Sequence, residues 1–213
     1  MNILYLHRTQ GHGVEGVHIK GIVESLRTMG HIVDIVSPTK EQALQSDGTI
    51  KSFFRLFSRY APEFVFELME IAYNLVYIKK IKEQCLKKRY DLIYERTALM
   101  TFAGTVCAQK YDIPIFLEVN FTAYTPLVRK RSWLLLPVAR WMDRINFKKA
   151  AHLFVVSTYL RDHLIDLGIS KDKVSIVPNA ADPDHFRKEV TGESIRTRYS
   201  LKDNVVIGFV GSF

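Results

Sequence analysis

Only two cysteines, Cys85 and Cys107, stand in the 213 residues of this chain. Thiols that sparse do not make a disulfide framework, so a reducing cytoplasm is the expected compartment. The longest apolar run, Trp133 to Ala139, falls far short of the ~20 residues that a membrane-spanning helix needs. No Cys/His grouping has metal-ligand spacing, and no metal or other cofactor is expected. The scattered histidines build no nucleophilic triad. Residues 1–200 contain no internal repeat and no low-complexity tract, which sets aside solenoids and disordered linkers. Arg8 interrupts the first apolar stretch and no small-residue cleavage site follows, so the start reads as a strand and not as a signal peptide.

What the chain does have is positive charge in two places. The formal net charge is +8. Residues 51–89 carry nine Lys/Arg against four Glu, and residues 129–149 carry seven against Asp143 alone. The remainder is therefore net negative, and the excess is local. Phe53, Phe54, Leu56 and Phe57 lie beside Lys51, Arg55 and Arg59, and Arg129, Lys130 and Arg131 lie beside Trp133 and Leu134. Cations next to aromatics fit an anionic membrane surface. They also fit a solvated helix face above core aromatics, but the coincidence of aromatics and cations in two places favours the membrane surface. Nucleic acid fits the charge, but no recognition motif or aromatic platform accompanies it.

Apolar strands and amphipathic segments alternate. Strands are expected at 2–7, 32–36, 91–94, 114–118, 152–156 and 174–177, and helices at about 16–29, 62–89, 99–110, 133–149 and 159–167. Gly30 and Gly168 stand where helices end. Residues 39–61 read as an irregular excursion. Continuous apolar strands separated by helices imply a Rossmann-like, mostly parallel sheet with helices on both faces. Val205 to Val210 reads as one more buried strand, entering the Gly211–Ser212 turn. That pattern opens an α/β domain, so the expected organisation is one domain over 1–200 and, over 201–213, a linker with the first strand of a second.

Ligands of such sheets gather at the carboxyl ends of the strands. Gly11, His12, Gly13, Glu15 and Gly16 form a G-x-G-x-x-G loop after the first strand. Its glycines would let backbone approach a phosphate, with the next helix offering free N–H groups. For a nicotinamide site the fit is poor: Arg8, Thr9 and Gln10 separate strand from loop, and Asp34 is mid-strand. His18, on the first helix, either packs or contacts a substrate. Arg96 either pairs locally with Glu95 or faces the cleft. Ser157 suits a helix N-cap, and Asn179 a turn.

Residues 152–186 resemble glycosyltransferase family 4. His152-Leu153-Phe154-Val155-Val156-Ser157 with Tyr159-Leu160 resembles that family's strand-Ser-helix. Lys173 to Asp182, with Phe186 following, is similar to its "K-(V/I)-x-V-(V/I)-P-N-G-V-D" element. Gly13-Val14-Glu15 and Gly30 to Pro38 resemble the family's start, and Val205 to Ser212 the first strand and turn of its second domain. His12 and Ala180 replace glycines of that pattern.

The resemblance implies the N-terminal half of a two-domain GT-B enzyme. Such an enzyme moves a sugar, with retention, from a nucleotide-sugar to a glycan or lipid-linked acceptor. It implies a metal-independent reaction, a donor site mostly on the other domain, and little catalysis by this chain alone. Where members often carry a histidine after the fourth strand, this chain has Glu118-Val119-Asn120. Glu118 and Asn120 thus become the catalytic candidates, with His18, Arg96 and Phe121 as acceptor contacts. Phe53, Phe54, Arg55, Arg129, Lys130, Arg131 and Trp133 become membrane-facing candidates, for a protein held peripherally on the inner face of the plasma membrane. The competing expectation is a binding module that holds a glycan or phosphorylated lipid without transfer.

Overall fold

β1 (Asn2–Leu6) is apolar and buried from Ile3 onward. A strand of that kind needs neighbours on both edges and cover on both faces. The computed structural model supplies both, and describes residues 1–9, 13–37, 63–125, 134–180, 191–201 and 204–208. Six parallel strands run in the order β2-β1-β3-β4-β5-β6. They are β1, β2 (Ile32–Val36), β3 (Leu92–Arg96), β4 (Ile115–Val119), β5 (His152–Val155) and β6 (Val174–Ile176). The helices are α1 (Gly13–Thr28), α2 (Glu63–Lys87), α3 (Ala103–Tyr111), α4 (Leu136–Lys149), α5 (Thr158–Asp166) and the short α6 (Glu193–Arg198).

Parallel neighbours require crossovers, and crossovers are right-handed. The β1–β2 connection steps one way along the sheet, and every later connection steps the other way. α1 therefore covers one face, with Ile19 and Val23 packed on Ile3, Tyr5 and Val33. α2 to α5 cover the opposite face. There Tyr77, Ile81, Cys107, Phe147, Leu160 and Leu164 enclose Leu4, Leu6, Ile93, Leu117 and Leu153.

Three boundaries differ from the sequence reading in an informative way. β3 extends through Glu95 and Arg96, because Arg96 pairs in register with Glu118 on β4. α1 begins at Gly13, so Glu15 and Gly16 occupy its first turn and not a loop. α3 starts only at Ala103, because three side chains hold the preceding turn open. Arg8 Nη1 donates to the Leu99 carbonyl at 3.1 Å, Asn74 Nδ2 to Met100 at 2.7 Å, and Asn146 Nδ2 to Thr101 at 2.6 Å. Asn74 Oδ1 also accepts from the N–H groups of Phe102 and Ala103 at 2.8 and 3.2 Å. It thereby caps a helix whose own N-cap residue, Phe102, provides no side-chain bond. The turn contains Met100 in the left-handed region at φ 59°.

The chain divides into two units, Met1–Asn179 and Ala180–Phe213. The first holds the whole sheet. In the second, α6 ends in a turn where Arg196 donates to the carbonyls of Leu201 and Asn204. Val205 to Gly208, expected as strand, joins no ladder among the described residues, and Val205 and Ile207 are over 90% exposed (92% and 94%). A parallel strand without a neighbour has nothing to pair with. Residues 209–213 lie outside the description.

Candidate active site at the carboxyl edge of the sheet

Glu118 is the centre of the arrangement. It faces the α1 side near the end of β4 and is 4% exposed. A carboxylate so buried must be paired and hydrogen-bonded, and this one takes four donors. Asn120 Nδ2 reaches Oε1 at 2.9 Å, Arg96 Nη1 donates to the same oxygen, and Tyr5 OH lies 3.4 Å from Oε2. His18 Nε2 is 3.1 Å from Oε1. A carboxylate only accepts, so Nε2 carries a hydrogen, and in the neutral ring the lone pair lies on Nδ1, for which no partner stands among the described residues.

The fold explains why these residues meet. Tyr5, Arg96 and Glu118 occupy same-face positions on adjacent strands β1, β3 and β4. His18 comes down from the first turns of α1, which covers that face. Thr97 locks the end of β4, its N–H and hydroxyl both donating to the Glu118 carbonyl at 3.0 and 3.1 Å. Burial, followed by the Glu118 charge, pushes the Tyr5 phenol well above its ordinary value, so it stays a donor. Tyr94 stacks on Tyr5 at 5.3 Å between ring centres and is raised in the same way. Burial also lowers the His7 imidazole, whose ring lies 6.2 Å from that of Tyr5. His7 is thus held neutral near Arg96.

The structure brings together four of the residues singled out from sequence: Glu118, Asn120, His18 and Arg96. Phe121 follows at the rim, 41% exposed. The Glu95–Arg96 pairing considered from sequence does not form. The two side chains point to opposite faces, Arg96 to Glu118 and Glu95 toward Arg8 and α3. Gly13, Glu15 and Gly16 belong to α1, where Glu15 lies in the first turn, the end at which an acidic side chain favours the helix dipole. Gly11 and His12 lie outside the described residues. So do Phe53, Phe54, Arg55, Arg129, Lys130, Arg131 and Trp133. Ser157 is an N-cap, its Oγ accepting from the Leu160 N–H at 3.3 Å. Among the described residues no group of three or more His, Cys, Asp or Glu is placed to hold a metal ion.

Tyr5 and His7 were missed from sequence. Both sit in or beside an apolar strand, where a lone polar ring reads as core. The available signal was their position toward the carboxyl end of the first strand.

The chemistry of the set is that of a donor array. The buried anion fixes one guanidinium, one imidazole and one amide at the strand ends. Those groups suit hydroxyl-rich or anionic ligands.

The family model for glycosyltransferase family 4 matches residues 13–185. No curated protein matches the chain. Among solved structures, the chain is similar to the sucrose-phosphate synthase (tll1590) of Thermosynechococcus elongatus, with TM-score 0.66 and 13% identity over 94% of this chain and 53% of that one. It is similar to Anabaena Alr3699/HepE in complex with UDP-glucose, with TM-score 0.54 and 15% identity over 96% and 51%. It is also similar to the UDP-GlcNAc 2-epimerase of Methanocaldococcus jannaschii, in complex with UDP-GlcNAc and UDP, with TM-score 0.55 and 16% identity over 84% and 47%. At these identities the likeness is one of fold. The chain spans about half the length of each.

Proposed function

Because the chain belongs to glycosyltransferase family 4, we propose that it is the acceptor-side half of a retaining glycosyltransferase, one that moves a sugar from a nucleotide-sugar to a glycan or lipid-linked acceptor. The observation that carries this reading is the Glu118 cluster, where His18, Arg96 and Asn120 are held at the strand ends by one buried carboxylate. Fold relatives bound to UDP-glucose and UDP-GlcNAc favour a nucleoside-diphosphate sugar as donor. On this reading the nucleotide is held mainly by a second domain, and the 213-residue chain alone transfers little or no sugar.

In transfer, the bond from the anomeric carbon to the diphosphate oxygen breaks and a bond to the acceptor oxygen forms. The acceptor hydroxyl must lose a proton as it attacks. In its neutral form His18 keeps its hydrogen on Nε2 toward Glu118 and turns the Nδ1 lone pair to the acceptor hydroxyl, whose proton it takes. Arg96 and Asn120 hold neighbouring hydroxyls or an anionic group. Glu118, saturated by four donors, orients the others and does not itself react. Phe121 offers an apolar rim to the acceptor.

We place the protein at the cytoplasmic surface of a membrane, where a lipid-linked acceptor resides. Among the described residues no helix is long and apolar enough to cross one. Two free cysteines fit a reducing compartment.

The test is sugar transfer by the longest polypeptide that contains this chain. It is presented with a panel of UDP- and GDP-sugars and membrane-extracted or oligosaccharide acceptors. His18→Gln should lower kcat by about 10²–10⁴-fold, while Glu118→Gln should lower it through disordered partners and raise KM. Release of nucleoside diphosphate without dependence on His18 would refute the assignment of the site. Glycan binding with no turnover of any donor would favour a binding module.

A further inference from the structure

α2 carries an apolar face that nothing described covers. Its inner side is committed to the sheet through Tyr77 and Ile81, 1% and 0% exposed. Its outer side is unusual for a surface helix. Every exposed residue from Phe64 to Ile78 is apolar: Phe64, Leu68, Met69, Ala72, Leu75 and Val76. At ~100° per residue these fall within an arc of about 140°. Leu68 is 50% exposed and Leu75 69%. Over the last turns the character changes. There the exposed residues are Lys79, Lys82, Glu83, Leu86 and Lys87, and none of the three lysines makes an ion pair among the described residues.

Apolar surface that is contiguous and unpartnered marks a docking face. The lysines that continue the same side select the occupant. A protein partner or a second copy would bury them against like charge or require acids to meet them, and this face offers only Glu83. An anionic bilayer meets both halves at once. Its acyl boundary takes Phe64, Leu68 and Leu75, and its headgroups take Lys79, Lys82 and Lys87.

We infer that the outer face of α2 is a bilayer-docking surface, which lies obliquely on anionic lipid with its amino-terminal half dipped into the acyl boundary and its lysines at headgroup level. The inference rests on the membrane-surface reading proposed above and names the element that makes the contact.

The experiment uses the whole chain and sedimentation with vesicles of phosphatidylcholine containing about a quarter phosphatidylglycerol, against pure phosphatidylcholine. The wild type should bind the anionic vesicles selectively. Leu68→Gln with Leu75→Gln should weaken binding at least tenfold, and the triple Lys79, Lys82 and Lys87→Gln variant roughly a hundredfold. Both should melt as the wild type does, since the substituted groups are exposed. Wild-type binding that the leucine variant retains in full would overturn the inference and leave the membrane reading standing. No binding by the wild type would overturn both. A large fall in melting temperature on Leu68→Gln with Leu75→Gln would show the face packed within the chain. A dimer in sedimentation equilibrium that this variant dissociates, with vesicle binding intact, would show a second copy as the occupant. Either result would overturn the inference.

Discussion

Asn74→Ala is the sharpest test of how the site is supported. Asn74 is 2% exposed on α2, and its amide is fully engaged. It donates to the carbonyls of Met100 and Ile71 at 2.7 and 2.9 Å, and accepts from Phe102 and Ala103 at 2.8 and 3.2 Å. Alanine removes the cap of α3, which costs about 1 kcal/mol. It also leaves the Met100 carbonyl buried without its donor, at about 1–3 kcal/mol. Met100 stands at φ 59°, so the turn loses one of the three contacts that enforce a left-handed residue. The total is about 2–4 kcal/mol, which for a domain of this size lowers Tm by about 4–16 °C. Asn74→Asp keeps the acceptor for Phe102 and Ala103 but sets a buried carboxylate against the Met100 and Ile71 carbonyls, and should lose at least as much. Urea unfolding with an unchanged m-value measures both, and hydrogen exchange at the Phe102 and Ala103 amides reports the local opening. An Asn74→Ala protein within about 0.5 kcal/mol of the wild type would refute the reasoning, because it would mean that Arg8 and Asn146 hold the turn unaided.

Other substitutions probe the same neighbourhood. A Cβ on Gly104 would clash with the Glu95 carboxylate, so Gly104→Ala should destabilise by about 1–3 kcal/mol; Gly104→Ala in a Glu95→Ala background should recover part of that loss, and equal losses in both backgrounds would count against the clash. Burial pushes the Glu95 carboxyl up to about 8, with Arg8 opposing. The folded chain therefore holds a proton that the unfolded chain releases, and stability is full below the unfolded value and falls as pH rises toward 8. Glu95→Gln should remove most of that slope between pH 6 and 8, of the order of 2 kcal/mol; identical slopes in thermal melts of the two proteins would contradict it. Glu118→Leu strands the Arg96 guanidinium, whose side chain is 12% exposed, and should cost about 3–5 kcal/mol. Glu118→Leu with Arg96→Met should be milder than Glu118→Leu alone.

The sheet was largely legible because its strands are short, mainly apolar runs, as at residues 153–155 and at Ile32–Val36, where Asp34 alone breaks a run set between Gly30 and Pro38. Its order was not, since nothing local to β2 says that β1, and not β3, will be its neighbour. The site was legible where chemistry sits just past a strand, as for Asn120, or at the head of a helix, as for His18. Tyr5 was hidden because an aromatic in an apolar strand is ordinarily core, and its role depends on a register with Glu118 across 113 residues of chain. Asn74 was hidden for a similar reason. A helix interior offers no sign that a side chain caps another helix 28 residues later. The start of α3 failed with it, because the apolar pattern from Leu99 onward continues smoothly through residues that the clasp keeps out of the helix.

The strand order also sets a schedule for synthesis. β1 lies inside the sheet, and β2 can pair with one of its edges as soon as residue 36 has emerged. The other edge waits for β3, which begins at Leu92. At ~5–20 residues per second on the ribosome, the intervening stretch of about 55 residues takes several seconds. Through that interval the nascent chain shows the open, apolar side of Ile3 to Leu6, a template for the wrong partner. Chaperone dependence during translation should therefore peak before residue 92 leaves the exit tunnel, and decline once β3 has closed the gap.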